Sequence, residues 1–178
     1  MENRHQIFRT PVHRIVWCYG HYQHTMHQEL VKKGYILHHG IIPSEEVEPH
    51  DVIVLDDLLN ESKSSGDMTS MFTQAAHHKP CFVIFITQNL YPPGKEARTR
   101  SLNTHYYVLM KNPRDKAQIR GLAKQMMPGK TQAFVDMYTK VTQEPHSYLF
   151  IDLTQECPED LRFRTRLFDP PMYAFKWN

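Results

Sequence analysis

Three cysteines, Cys18, Cys81 and Cys157, are too few and too far apart for a disulfide framework, and no CxxC pair offers a zinc ribbon. No apolar run approaches the roughly 20 residues that a membrane span requires, and the opening MENRHQIFRTPVH lacks the apolar stretch of a secretion signal. Charge of one sign is lacking too. The formal net charge is +2 with histidine neutral, so no global field announces nucleic acid, and the 12 histidines would add positive charge only in acid. These absences exclude the membrane and disulfide-stapled classes and lead to the expectation of a soluble, intracellular protein with reduced thiols. What is present is ordinary. The 178 residues are 40% hydrophobic and 22% charged, which suits one domain with a real core over residues 1–178.

The runs RIVWCYG (from Arg14), DVIVLDD (from Asp51), CFVIFITQN (from Cys81) and YYVLM (from Tyr106) are short and rich in β-branched or aromatic residues. They read as strands buried on both faces. Met68, Met71, Phe72, Ala75 and Ala76 recur at helical spacing and predict a crossover helix ended before Pro80, preceded by a polar loop from Asn60 to Asp67. Asn112 as N-cap, Pro113 at the first helical position and Asp115 in the first turn predict a second helix, carried by Ile119, Leu122, Ala123, Met126 and Met127. Pro128 and Gly129 stop it. Phe134, Met137, Tyr138 and Val141 mark another helix before the strand-like YLFIDL from Tyr148. Strands alternating with helices predict an α/β fold with a mostly parallel sheet and flanking helices.

In DVIVLDD, four apolar residues end in paired carboxylates, which places charge at the carboxyl edge of a buried strand, where ligand crevices form. In a nucleotide hydrolase Asp56 would hold Mg²⁺ through water, and Asp57 would orient or deprotonate the attacking water. The plainer alternative is that both end the strand or cap its turn. One crossover later Gln88 or Asn89 would emerge on the same edge, to sense a γ-phosphate, position water, or simply satisfy a turn. The basic run KEARTRSLN offers Arg98 first and Arg100 second as phosphate ligands, in cis or as an arginine finger, against the alternative of a solvated helix face.

The ordered segments VIVLDDLL, FVIFITQNLY and KEARTRSLNTHYYVLMKNPRDKAQIRGLAKQMMPG, flanked by RIVWCYG and YLFIDLTQECPEDLRFRTRLF, resemble the DNA-packaging ATPases of Polinton or Maverick elements and related large DNA viruses. That group lies within the FtsK and HerA division of P-loop ATPases. The resemblance implies a RecA-like P-loop NTPase fold, with ATP and Mg²⁺ as cofactors and hydrolysis coupled to translocation of double-stranded DNA into a capsid. It also implies a homo-oligomeric ring, a capsid or portal partner, no membrane, and a site of assembly in the host nucleus or cytoplasm. Asp56 and Asp57 then correspond to the Walker B pair, Gln88 to the polar sensor and Arg98 to the arginine of the family's acidic, basic and hydroxyl run. Asn103, Asn112, Pro113, Arg114 and Asp115 match positions read as structural, whereas Arg100 stands where an aliphatic residue is usual.

The sequence departs from the family in having no GxxxxGK[ST], the loop that supplies phosphate-cradling amides and a lysine. Gly129, Lys130 and Thr131 spell GKT, but Lys124 stands where the leading glycine belongs and the tripeptide follows a helix stop. In the family the Walker A strand lies between the strand ending at Gln88 and the one starting at Tyr106. The expectation is therefore an N-terminally incomplete ATPase domain, inactive alone, with Met1 to Phe8 as the tail of the helix after the P-loop. The rival expectation is a noncatalytic DNA- or protein-binding module derived from such an ATPase. Arg162, Arg164 and Arg166 alternate along LRFRTRLF and would line one face of a strand, as a DNA phosphate contact or as an edge protected by charge. The pairs His24 and His27, His38 and His39, and His77 and His78 have no acidic or cysteine partner at ligand spacing and read as surface histidines.

Overall fold

Buried apolar runs set the first unit. In the computed structural model, which describes residues 4–58, 79–91 and 101–176, the chain divides into two compact units, Met1–Asn103 and Thr104–Asn178. After the short helix α1 (Arg4–Ile7), the first unit holds β1 (Ile15–Tyr19), α2 (His24–Lys32), β2 (Ile36–His39), β3 (Val52–Asp56) and β4 (Phe82–Ile86). The four strands form one parallel sheet in the order β2-β1-β3-β4. Val52 to Leu55 are all buried, as a strand covered on both faces requires. Val16, Cys18, Ile53 and Leu55 enter the core on one face with Ile42, Val47 and Leu58; Ile15, Val52 and Val54 enter the other with Tyr35. The predicted crossover helix, the loop from Asn60 and His77 and His78 lie outside the described residues.

Helix α2 ends in a Schellman arrangement. Gly34, at φ 82°, donates its N–H to Val31 O (2.9 Å), and Tyr35 N–H reaches Leu30 O (3.0 Å). Tyr35 and Leu30 then pack in the same core cluster, completing the motif.

At the amino ends of the strands, the fully buried Asp51 accepts bonds from Arg14 Nε (2.9 and 3.0 Å) and from Glu48 N–H (2.8 Å). Arg14 also donates to Glu46 O. Lys79 Nζ adds a second clamp, donating to the carbonyls of Ser44, Glu45 and Val47.

The second unit contains β5 (Tyr106–Met110), α3 (Lys116–Met126), α4 (Thr131–Val141), β6 (Tyr148–Asp152), β7 (Phe163–Thr165) and β8 (Tyr173–Ala174). Its sheet runs β5-β6-β7-β8 and is antiparallel throughout, so the α/β class stands while the parallel pairing is confined to the first unit. The reason is countable. One helix between strands returns the chain to the starting end, whereas two antiparallel helices deliver it to the opposite end. Leu109, Leu149, Ile151 and Phe163 pack in this unit with Ile119, Leu122 and Phe134 among its buried residues, and the Phe134 and Phe163 rings meet edge-on at 5.8 Å. The N-cap of α3 is Asp115, which accepts from Ala117 and Gln118 N–H; Asn112 instead accepts from Arg114 and Asp115 N–H in the preceding turn. Among the described residues no helix is long and apolar enough to cross a membrane.

Candidate functional site at the carboxyl edge

Parallel register aligns the carboxyl ends of the strands: His39 lies beside Tyr19, Tyr19 beside Asp56, and Asp56 beside Ile86. The chain leaves β1 through α2 toward β2 on one side, while β3 lies on the other. The gap between the β1 and β3 ends is therefore a topological switch point, where open α/β sheets bind ligands.

Asp56 closes β3 half-buried. Asp57 follows, exposed and in the left-handed region at φ 49°, with its N–H on Ile86 O (3.2 Å). Leu58, fully buried, anchors the turn beyond. The two sequence-predicted carboxylates therefore share one strand end but differ in setting, one part-shielded and one in water. Gln88 is exposed just past β4, two residues beyond the Ile86 that faces Asp56. Asn89 is occupied by its turn: its N–H takes Thr87 Oγ1 (3.0 Å) and its Oδ1 takes Tyr91 N–H (2.9 Å). Arg98 and Arg100 lie outside the described residues.

A magnesium ion fits this donor set in kind. It is a hard cation, bound through one or two carboxylates with the rest of its shell water and phosphate oxygen. Among the described residues, the only trio of potential ligands within 4.8 Å of one another is elsewhere, at His13, Glu48 and Asp51. Arg14 is ion-paired to two members of that trio, Asp51 at 2.9 Å and Glu48 at 3.6 Å, so the cluster is a charge-neutralised clamp.

Sequence spacing missed what surrounds Tyr19. Its ring lies 4.3 Å from His27, 5.8 Å from Tyr22 and 5.6 Å from His39, and Tyr22 stacks on His27 at 4.8 Å and 20°. His27, read as a surface histidine, is fully buried; its Nδ1 meets Gln23 N–H at 2.8 Å and its Nε2 has no partner among the described residues. The available signal was GHYQH directly after an apolar strand.

In the second unit β7 is only three residues long, and Arg166, at φ 57°, has left it. Arg162 bonds Glu159 (Nε to Oε2, 3.1 Å) and Asp152 O (2.7 Å). Arg164 pairs with Asp152 at 2.8 Å over the Phe150 ring. Burial pushes the Asp152 carboxyl up, but hydrogen bonds from Thr154 and the Arg164 charge outweigh it and hold the group below the usual carboxylate range. Arg166, exposed and 6.0 Å from the Tyr173 ring centroid, is the arginine of the three with no carboxylate partner among the described residues. Gly129, Lys130 and Thr131 link α3 to α4, helix to helix, with Gly129 at φ 88°. That is not the strand-to-helix setting of a P-loop.

Protein-family models, curated proteins and solved structures yielded no match to this chain.

Proposed function

We propose that this chain is the Walker B and sensor portion of a DNA-packaging ATPase of the FtsK and HerA type. The observation that carries the reading is the parallel pairing β1-β3-β4, with Asp56 and Asp57 at the end of its middle strand and Gln88 just past the neighbouring one. Asp56 would hold Mg²⁺ through water, Asp57 would orient the attacking water and Gln88 would sense the γ-phosphate. Strand β4 supports the reading in a second way. FVIFI is apolar on both faces, as interior strands are, yet it stands at the margin of the described sheet with Phe82 and Ile86 37% and 41% exposed. A RecA-like arrangement puts the phosphate-binding strand at that margin.

Calorimetry with ATP and Mg²⁺ tests this on the chain alone and with a Walker A strand, loop and helix appended upstream. Binding by the extended form only, weakened by Asp56→Asn, is expected, because phosphate positioning carries most of phosphoryl-transfer catalysis. No binding by either form would sink the ATPase reading in favour of a noncatalytic module. For DNA, Arg166 is the better candidate contact, since Arg162 and Arg164 are already paired.

A further inference from the structure

We propose that the turn from β1 into α2 is a stacking platform for a nucleobase, at the switch point between β1 and β3. Tyr22 is 54% exposed, yet one face of its ring is fixed by stacking on His27, which reaches no solvent. Tyr19 tilts against both rings, and His24 meets Tyr22 edge-on at 6.3 Å. A large aromatic held rigidly from beneath and open above offers a preformed π-face, and stacking on such a face is tolerant of base identity.

The imidazole of His27 is a second observation. Burying Nε2 without a partner is costly, and an apolar ring at that position would avoid the cost. The imidazole is accounted for by two simultaneous tasks: Nδ1 lies 2.8 Å from both the N–H and the carbonyl O of Gln23 at the start of α2, and the flat ring supports Tyr22. Asp56, beside Tyr19 in the register, stands at the edge of the platform where a ribose hydroxyl would find an acceptor.

The ligand class is a free nucleoside, not a nucleic-acid strand. Strand binders pair aromatic platforms with cationic grooves that track phosphates, and the segment from Tyr19 to Leu30 contains no lysine or arginine. A nucleoside needs no phosphate loop, so adenosine binding at Tyr22 is separable from ATP binding, with Asp56 the one residue common to both readings.

The test is a titration of the 178-residue chain with adenosine, following tyrosine ring signals by NMR. Saturable shifts at Tyr22 and Tyr19 are expected, with weak affinity, since one open platform carries the contact. Tyr22→Ala should weaken binding by roughly 5-fold or more and Tyr22→Phe should retain it. Tyr22 is exposed enough for both variants to fold, which circular dichroism checks. No saturable shift up to about 10 mM adenosine, or equal affinity in Tyr22→Ala, overturns the proposal. An oligodeoxyadenylate that binds far tighter than adenosine, with steep salt dependence, overturns the choice of a free nucleoside.

Discussion

Replacing Arg14 by methionine should destabilise the first unit strongly. Asp51 is fully buried, and among the described residues the guanidinium is the one cation bonded to it; Arg14→Met would leave that carboxylate with Glu48 N–H as its partner among them. Stripping one partner from a buried pair costs about 3–5 kcal/mol. The Arg14 side chain is 27% exposed, so water can partly replace it and the lower end, about 3 kcal/mol, applies. For a unit of this size each kcal/mol moves Tm by roughly 4–8 °C, so a fall of about 12–24 °C is expected. Urea unfolding followed by tryptophan fluorescence reads the same loss, with Trp17 inside β1. The double variant Arg14→Met with Asp51→Leu removes both charges and should recover most of the loss, because a buried ion pair and an apolar pair of similar volume are often nearly equivalent. A loss below about 0.5 kcal/mol in Arg14→Met would refute the buried-pair argument.

Three further outcomes follow from particular contacts. Asp115→Ala should cost about 1 kcal/mol by freeing two helix N–H groups, and Asn112→Ala distinctly less; equal losses in thermal melts would contradict the assignment of the cap. Asp152 has a depressed pKa in the folded state, so its contribution is present above the unfolded carboxylate value near ~4 and is lost as pH falls through the lower folded value. Acid unfolding of the second unit should accordingly be less steep in Asp152→Asn, and an unchanged acid limb would count against this linkage. Burial pushes the Cys18 thiol up to about 11, so at pH 8 iodoacetamide should modify it only on unfolding; mass spectrometry showing it labelled as fast as Cys157 would refute its burial.

Strand positions were legible because buried runs such as VIVLD and YLFID carry their own apolar signature. Strand direction was not, because the same signature serves both orientations; it had to be inferred by counting the two helices between Tyr106 and Tyr148. Strand β2 went unread since His38 and His39 make ILHH look polar, although Gly34 was a usable helix stop before it. The alternating arginines suggested a three-residue basic face, but alternation presumes an extended backbone and Arg166 turns out of it. Asp56 and Asp57 were found by their place at the end of an apolar run. His27 was not, because histidine is as common outside as in, and only the ring contacts reveal what surrounds it.

The Arg14 and Asp51 pair also bears on which alignment of β1 and β3 is chosen. Ile15 to Cys18 and Val52 to Leu55 are apolar at every position, so sliding one strand past the other by a residue would still present grease to both layers. Most half-exposed strands are kept in step by alternating polarity; these two have none. The charged pair one step before Ile15 and Val52 acts like the first button on a coat, since every shifted alignment strands a carboxylate in the interior. Losing it should therefore broaden the population into misaligned forms that still bury their apolar surface.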